Sequence, residues 1–431
     1  MAARAIRAGH CSDSGLATLA TALWIVVAAL AVSVWLRPWP DVLFRTDFVS
    51  FWTGGALVRE GVGPGLFDME RQRALQRGLR LELAATDAMR QADFHNPYHN
   101  PPPLALIFVP LTLLPMPWAY ALWWAVSLSA FLVAFAVCLR GAPFGRTLAV
   151  GMLSFAGVGA TLLEGQVNGL FVLALAAGQL AMVWGNGPLG GALVGLLWLK
   201  PQYAWVFLLV FLAKRRWAEV LGMAGAALVV GVASIAMIGA AGLLRYLEVL
   251  WQIGEFHPPA ASLISPERMV NWRALLTTLW PGVPGATGSL LVGALGVGTA
   301  LISLLAWRGR WDPRSPRFPL QMLVAALAAV ISSPHSHFHG TVLLLAPIAL
   351  SFAMPMKGAP LERGWGPLLL LGYLLAMVLF AFRRFSWLLA PYLLALMVFL
   401  IIFLRSTGFP SRTGGHATTL QHVDSHAPVE R

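Results

Sequence analysis

The sequence predicts an all-α, polytopic integral membrane protein of about 12 transmembrane helices, with two larger loops on the outer face. Three observations carry this. Hydrophobic residues make up 58% of the 431 and charged residues 11%, against about 25% charged in soluble domains. Several apolar runs reach the ~20 residues that a bilayer crossing requires. Arg and Lys concentrate in the short connections between those runs, where they orient a chain. The net charge of +12 therefore reads as a topology signal and not as nucleic-acid binding. Two cysteines, Cys11 and Cys138, exclude a disulfide framework.

The elements follow in order. Residues 1–15 carry Arg4 and Arg7 and read as a cytoplasmic N-terminus. Residues 16–36 are the first span, too long for a signal-peptide core and without a clear cleavage site. Residues 37–101 form the first outer loop. Within it Asp47 stands among Phe48, Phe51 and Trp52. A carboxylate beside aromatics at a bilayer edge marks a functional site. It could equally be the N-cap of a helix starting at Phe48, since Asp is a preferred cap. Leu75, Leu79 and Leu83 recur at helical spacing within residues 69–93. They predict an amphipathic helix on the membrane surface, or a solvated helix packed on the loop.

Pro101, Pro102 and Pro103 preset an extended entry. Residues 104–114 are too short to cross and read as a re-entrant or interfacial piece; 118–139 can cross. Spans at 147–163 and 167–184 meet at LLEGQVNG, which holds Glu164, Gln166 and Asn168. The short runs 190–199 and 202–213, joined by Lys200-Pro201, must line a cavity or sit in thinned bilayer. Lys214, Arg215 and Arg216 mark the inner side. A span at 219–241 precedes the second outer loop, 243–285. Five more follow at 288–307, 319–332, 340–355, 366–382 and 386–404. Residues 16–405 are thus one transmembrane domain, and 406–431 a disordered cytoplasmic tail.

This layout gathers Asp47, His95, Tyr98, His99, Glu164, Gln166, Asn168, Lys200, Gln202, Glu255, His257 and Asn271 on one face. His335, His337 and His339 in the turn 332–340, and Arg383 and Arg384, join them. A single polar residue at a span end usually just solvates its turn; the collection is what marks a site. The cations between Arg310 and Arg317, by contrast, read as a topological signal.

Several blocks together resemble glycosyltransferase family 87, a GT-C class of polytopic transferases. They are TD-F-x5-GGAL-x3-G-x2-P-x2-FD (46–68), YHNPPPLALIFVPLTLLP (98–115), GQVNG (165–169), LKPQ (199–202) and SPHSHFHGTVLLLAP (333–347). Phe67 stands where the family often has Tyr. The resemblance implies a GT-C-like fold in the bacterial cytoplasmic membrane with its active site facing outward. It implies transfer of a sugar, mannose or arabinose class, from a polyprenyl-phosphate donor to a lipid or glycan acceptor. It places the acid thought to be the base on Asp47.

The chemistry suits these residues. Attack on an anomeric carbon needs a base for the acceptor proton, and a carboxylate can serve. The departing phosphate should meet cations or imidazoles. Lys200, Arg383, Arg384, His335, His337 and His339 are the candidates, with Tyr98, Gln166 and Asn168 as further substrate contacts. No cofactor is expected and no DxD motif is present. The H-x-H-x-H run at 335–339 could ligate a divalent cation, but none is assigned. Two other classes remain: a transporter or flippase, which predicts inverted repeats, and a non-catalytic envelope-assembly subunit, which needs no outer-loop acid.

Overall fold

A computed structural model of the protein describes residues 39–142, 145–254, 256, 266–354 and 365–406. The expected first span, the termini, Glu255 and His257 lie outside the described residues. The described chain is helical, without strands; one isolated antiparallel bridge joins Met269 and His337. The principal helices are α1 Phe48–Arg59, α2 Met69–Leu83, α3 Met116–Cys138, α4 Gly145–Leu153, α5 Ala156–Leu163, α6 Asn168–Val183, α7 Gly187–Gly195 and α8 Pro201–Ala213. There follow α9 Trp217–Gly254, α10 Trp272–Leu279, α11 Gly285–Ser303, α12 Arg317–Ser332, α13 Leu345–Ala353, α14 Trp365–Ala381 and α15 Leu389–Ser406.

Four described helical stretches are long and apolar enough to cross a membrane: Met116–Cys138, Trp217–Gly254, Gly285–Trp307 and Phe385–Ser406. A fifth arises if α4 and α5, bent by 53°, count as one. The count of twelve is not reached by this measure, because most apolar runs are interrupted. The expected span 147–163 is broken at Ser154-Phe155, and Lys200 separates the runs on either side of it. The shorter helices serve the protein interior. Every residue of α12 from Phe318 to Ser332 is buried, so this apolar run faces neighbouring helices all round. The expected end of a span at Ala241 is also revised. Helix α9 continues to Gly254 past a break at Gly239 (φ 65°), so the second outer loop begins as helix.

Small residues set the closest crossing. Gly187, Gly191 and Gly195 recur every fourth residue on α7 and face α9. A Cβ on Gly191 would lie 2.0 Å from the Glu219 carbonyl, and one on Gly222 2.0 Å from the Pro188 carbonyl. Such seams let backbones approach without a hydrophobic driving force. Gly222→Val is therefore expected to cost at least the ~1–3 kcal/mol typical of overpacking. A thermal unfolding midpoint equal to the parent's would refute this close contact.

Helix α2 departs from expectation in an instructive way. Its fully buried residues are Gln72, Gln76 and Arg80, not leucines. These three grip an extended segment. Gln72 donates to the Tyr98 carbonyl (3.2 Å) and accepts from the Tyr98 N–H (2.7 Å). Gln76 does the same with Asn96, at 2.7 and 3.0 Å. Arg80 donates to the Phe94 carbonyl. The match is metrical: four helical residues rise about 6.0 Å, and two extended residues span about 6.6 Å. The i, i+4, i+8 stripe thus pairs with alternate residues 94, 96 and 98. The helix is a clamp on residues 94–98, which agrees with the expected helix packed on the loop and not with the membrane-surface alternative, and Leu75, Leu79 and Leu83 pack half-buried against the core.

Candidate active site

Asp47 sits directly before α1, in helical conformation, with no side-chain cap hydrogen bond. The backbone N–H of Phe48 is instead satisfied by the Glu164 carbonyl at 3.0 Å. The cap reading of Asp47 is thereby set aside, and its carboxylate is free to face the site. Asp68, a rival acid, does cap: it accepts from the N–H groups of Glu70 and Arg71 at 3.1 and 3.2 Å.

Both oxygens of Asp47 have amide donors. Asn96 Nδ2 donates to Oδ1 at 3.0 Å, and Gln166 Nε2 to Oδ2 at 2.5 Å. Gln166 comes from the tight turn between α5 and α6, where Gly165 takes φ +64°. Asn168 starts α6. Lys200, between a 3-10 turn and α8, is buried and donates to Gln166 Oε1 (2.7 Å) and Asn168 Oδ1 (3.2 Å). Asn168 Nδ2 lies 2.8 Å from His339 Nδ1 and 2.9 Å from the His339 carbonyl. His339 Nε2 then lies 4.0 Å from Asp47 Oδ2 and 3.9 Å from Glu164 Oε2.

Five sequence-predicted residues therefore converge: Asp47, Gln166, Asn168, Lys200 and His339. Lys200 differs from expectation in its setting, lying buried beneath two amides and not at a lipid interface. Tyr98 does not join them. Its ring is fully buried, its hydroxyl donates to the Pro101 carbonyl at 2.7 Å, and it packs within 3 Å of where a Cβ on Gly54 would stand. It is a packing residue. For Arg383 and Arg384 the expectation falls on side chains outside the described residues. Asn96 was missed, because an Asn in a polar loop carries no signal until the α2 clamp places it.

Two cavities meet at this cluster. Cavity A, about 300 Å³, is lined among others by Arg73, His95, His99, Lys200, Gln202 and His335. Cavity B, about 450 Å³, is lined among others by Arg45, Phe94, Glu164, Arg268, Phe338 and Phe380. Asp47, Asn96 and His337 border both.

Four imidazoles of cavity A, His95, His99, His335 and His337, occupy the connecting segments 92–101 and 333–337, outside the helices. His335 stacks edge-on to His99 and His337, ring centroids 5.6 and 4.8 Å away. Burial holds His337 down to about 4, with Asp47 opposing. Burial, with Arg73 and Arg80 adding to it, holds His95 at about 4. His335 and His99 are lowered by burial as well. These rings are neutral at pH 7 and carry one N–H each; those of His99 and His337 go to the backbone at Pro97 and Arg268, and those of His95 and His335 are left to serve as uncharged donors. His95 Nε2 and His335 Nδ1 are buried without a hydrogen-bond partner among the described residues.

Asp47, Glu164 and His339 offer ligand atoms within 4.8 Å of one another and form the group among the described residues that could hold a metal ion. Of the H-x-H-x-H run only His339 belongs to it.

The model of glycosyltransferase family 87 matches residues 98–334, which include Gln166, Asn168 and Lys200. A polyprenol-phosphate-mannose-dependent alpha-(1-2)-phosphatidylinositol pentamannoside mannosyltransferase of Mycolicibacterium smegmatis is 28% identical over 359 residues, 81% of this chain and 80% of the relative. A protein of the same description from Mycobacterium tuberculosis is 29% identical over 289 residues, 64% of each chain. No solved structure matches. With more than half its length matched by the family model, the chain belongs to glycosyltransferase family 87.

Proposed function

We propose that this membrane glycosyltransferase moves a mannosyl group from polyprenol-phosphate mannose to a hydroxyl of an anionic glycolipid acceptor, at the outer face of the cytoplasmic membrane. The observation that carries the reading is Asp47 at the wall shared by two cavities. The mannose donor and the phosphatidylinositol-mannoside acceptor of the two relatives favour mannose over arabinose.

The donor phosphate occupies cavity A, where Arg73 and the neutral imidazoles of His95 and His335 supply donors. Charge-assisted contacts of this kind suit phosphate oxygens. The acceptor enters cavity B, where Arg45 and Arg268 meet its anionic headgroup and Phe94, Phe338 and Phe380 its apolar parts. The acceptor hydroxyl oxygen attacks the anomeric carbon while the carbon–oxygen bond to phosphate breaks. Its proton passes to Asp47, and the bond's electron pair leaves with polyprenyl phosphate. Entry from one cavity and departure into the other makes the attack in line, which inverts the anomeric centre.

The test is release of polyprenyl phosphate by purified protein offered a panel of polyprenyl-phosphate sugars with a phosphatidylinositol-mannoside acceptor. Release from the mannose donor is expected. Release from none of the panel would sink the transferase assignment, and release from the arabinose donor alone would move the sugar class.

A further inference from the structure

Lys200 gives its two hydrogen bonds to Gln166 and Asn168, and these decide what Asp47 and His339 meet. An ammonium is a donor only. The groups at 2.7 and 3.2 Å from Nζ must therefore be the amide oxygens of Gln166 and Asn168. Amide oxygen and nitrogen are otherwise interchangeable in shape, and their assignment rests on such partners. With both oxygens turned to Lys200, both NH₂ groups turn away from it. That of Gln166 reaches Asp47 Oδ2 at 2.5 Å. That of Asn168 reaches His339 Nδ1 at 2.8 Å. Nδ1 then accepts, so the neutral ring carries its proton on Nε2. That N–H faces Asp47 and Glu164, at 4.0 and 3.9 Å.

We infer that Lys200 is the positioning residue of this site: through Gln166 it holds an amide N–H on Asp47, and through Asn168 it sets the His339 tautomer so that the imidazole N–H is turned toward the Asp47 and Glu164 pair. The consequence separates two uses of the same cluster. Asp47, Glu164 and His339 could chelate a cation only if the Nε2 lone pair faced inward. The tautomer that Lys200 imposes puts a hydrogen there instead.

This rests on the transferase reading for its kinetic arm only. The first measurement needs no substrate: the ¹⁵N spectrum of histidine-labelled protein in detergent, with the His339 signals found by difference from His339→Gln. The parent should show a protonated Nε2 and a bare Nδ1. Lys200→Met should lose that single pattern, since either amide face can then meet the ring. Asn168→Asp keeps the contact to Lys200 but has no N–H to give, and should move the proton to Nδ1. It serves also if Lys200→Met does not fold. A parent with protonated Nδ1, or an Asn168→Asp ring still protonated on Nε2, overturns the inference. In the kinetic arm, misplaced groups cost turnover, so Lys200→Met should lower kcat about 10- to 100-fold with donor KM within about twofold. A raised donor KM at parental kcat would make Lys200 a phosphate contact and overturn the positioning role. Parental turnover should also survive a chelator, and its abolition would overturn the tautomer assignment.

Discussion

Asp47→Asn is expected to lower turnover about 10²- to 10⁴-fold, the worth of general-base assistance, in protein that still folds. The substitution keeps the size of the side chain and removes its basicity. It also places an NH₂ group against the amide donor of either Asn96 or Gln166, which now occupy both carboxylate oxygens. One of those hydrogen bonds must be lost, so a modest fall in unfolding temperature accompanies the kinetic loss. A helix cap would behave otherwise, because Asn caps about as well as Asp. Asp68 is such a cap, and Asp68→Asn is expected to be nearly silent. Glu164→Gln completes the set, since Glu164 borders cavity B beside Asp47 and faces the same His339 nitrogen. Asp47→Asn turning over at the parental rate, with Glu164→Gln dead, would place the base on Glu164.

Gly165→Ala is expected to damage the active site through a single added methyl group. Gly165 takes φ +64°, where an L side chain costs roughly 1–2 kcal/mol. A Cβ there would stand 2.6 Å from Phe48 Cβ and 3.3 Å from its Cα. The turn has no room to retreat. Trp123 Nε1 donates to the Gly165 carbonyl at 2.9 Å, and the Tyr120 hydroxyl to the Leu163 carbonyl at 2.7 Å. The added group must therefore push α1 away from residues 164–166, and with it Asp47 away from Gln166. Displacement of a reacting group by about 1 Å can cost about 10²-fold in rate. Measured kcat/KM should fall by that order, together with the unfolding temperature. A folded Gly165→Ala protein with parental kcat/KM would show that this close approach does not position the base.

Much of this was legible in the chain. Hydropathy is additive along a segment, so the membrane class, the span at α3 and the short runs flanking Lys200 could be read locally. The blocks around Asp47, Gln166, Asn168, Lys200 and His339 named five residues that the fold does bring together. What local reading could not supply was partnership. The leucine spacing in α2 pointed to an apolar face, and Leu75, Leu79 and Leu83 do pack half-buried on the core, while the structure buries Gln72, Gln76 and Arg80 more deeply, because their hydrogen bonds to an extended backbone offset most of the cost of burial. Tyr98 looked available and is sealed by its bond to Pro101; Asn96 looked idle and holds the base.

The sequence by itself determined that the chain lives in a bilayer, where its polar blocks lie, and which family it resembles, since each depends on residues near one another in the chain. Only the tertiary structure decided which polar group faces which. The donor or acceptor sense of Gln166, Asn168 and His339 follows from one buried ammonium 30 to 140 residues away in the chain, and such long-range pairing leaves no period in the sequence to read.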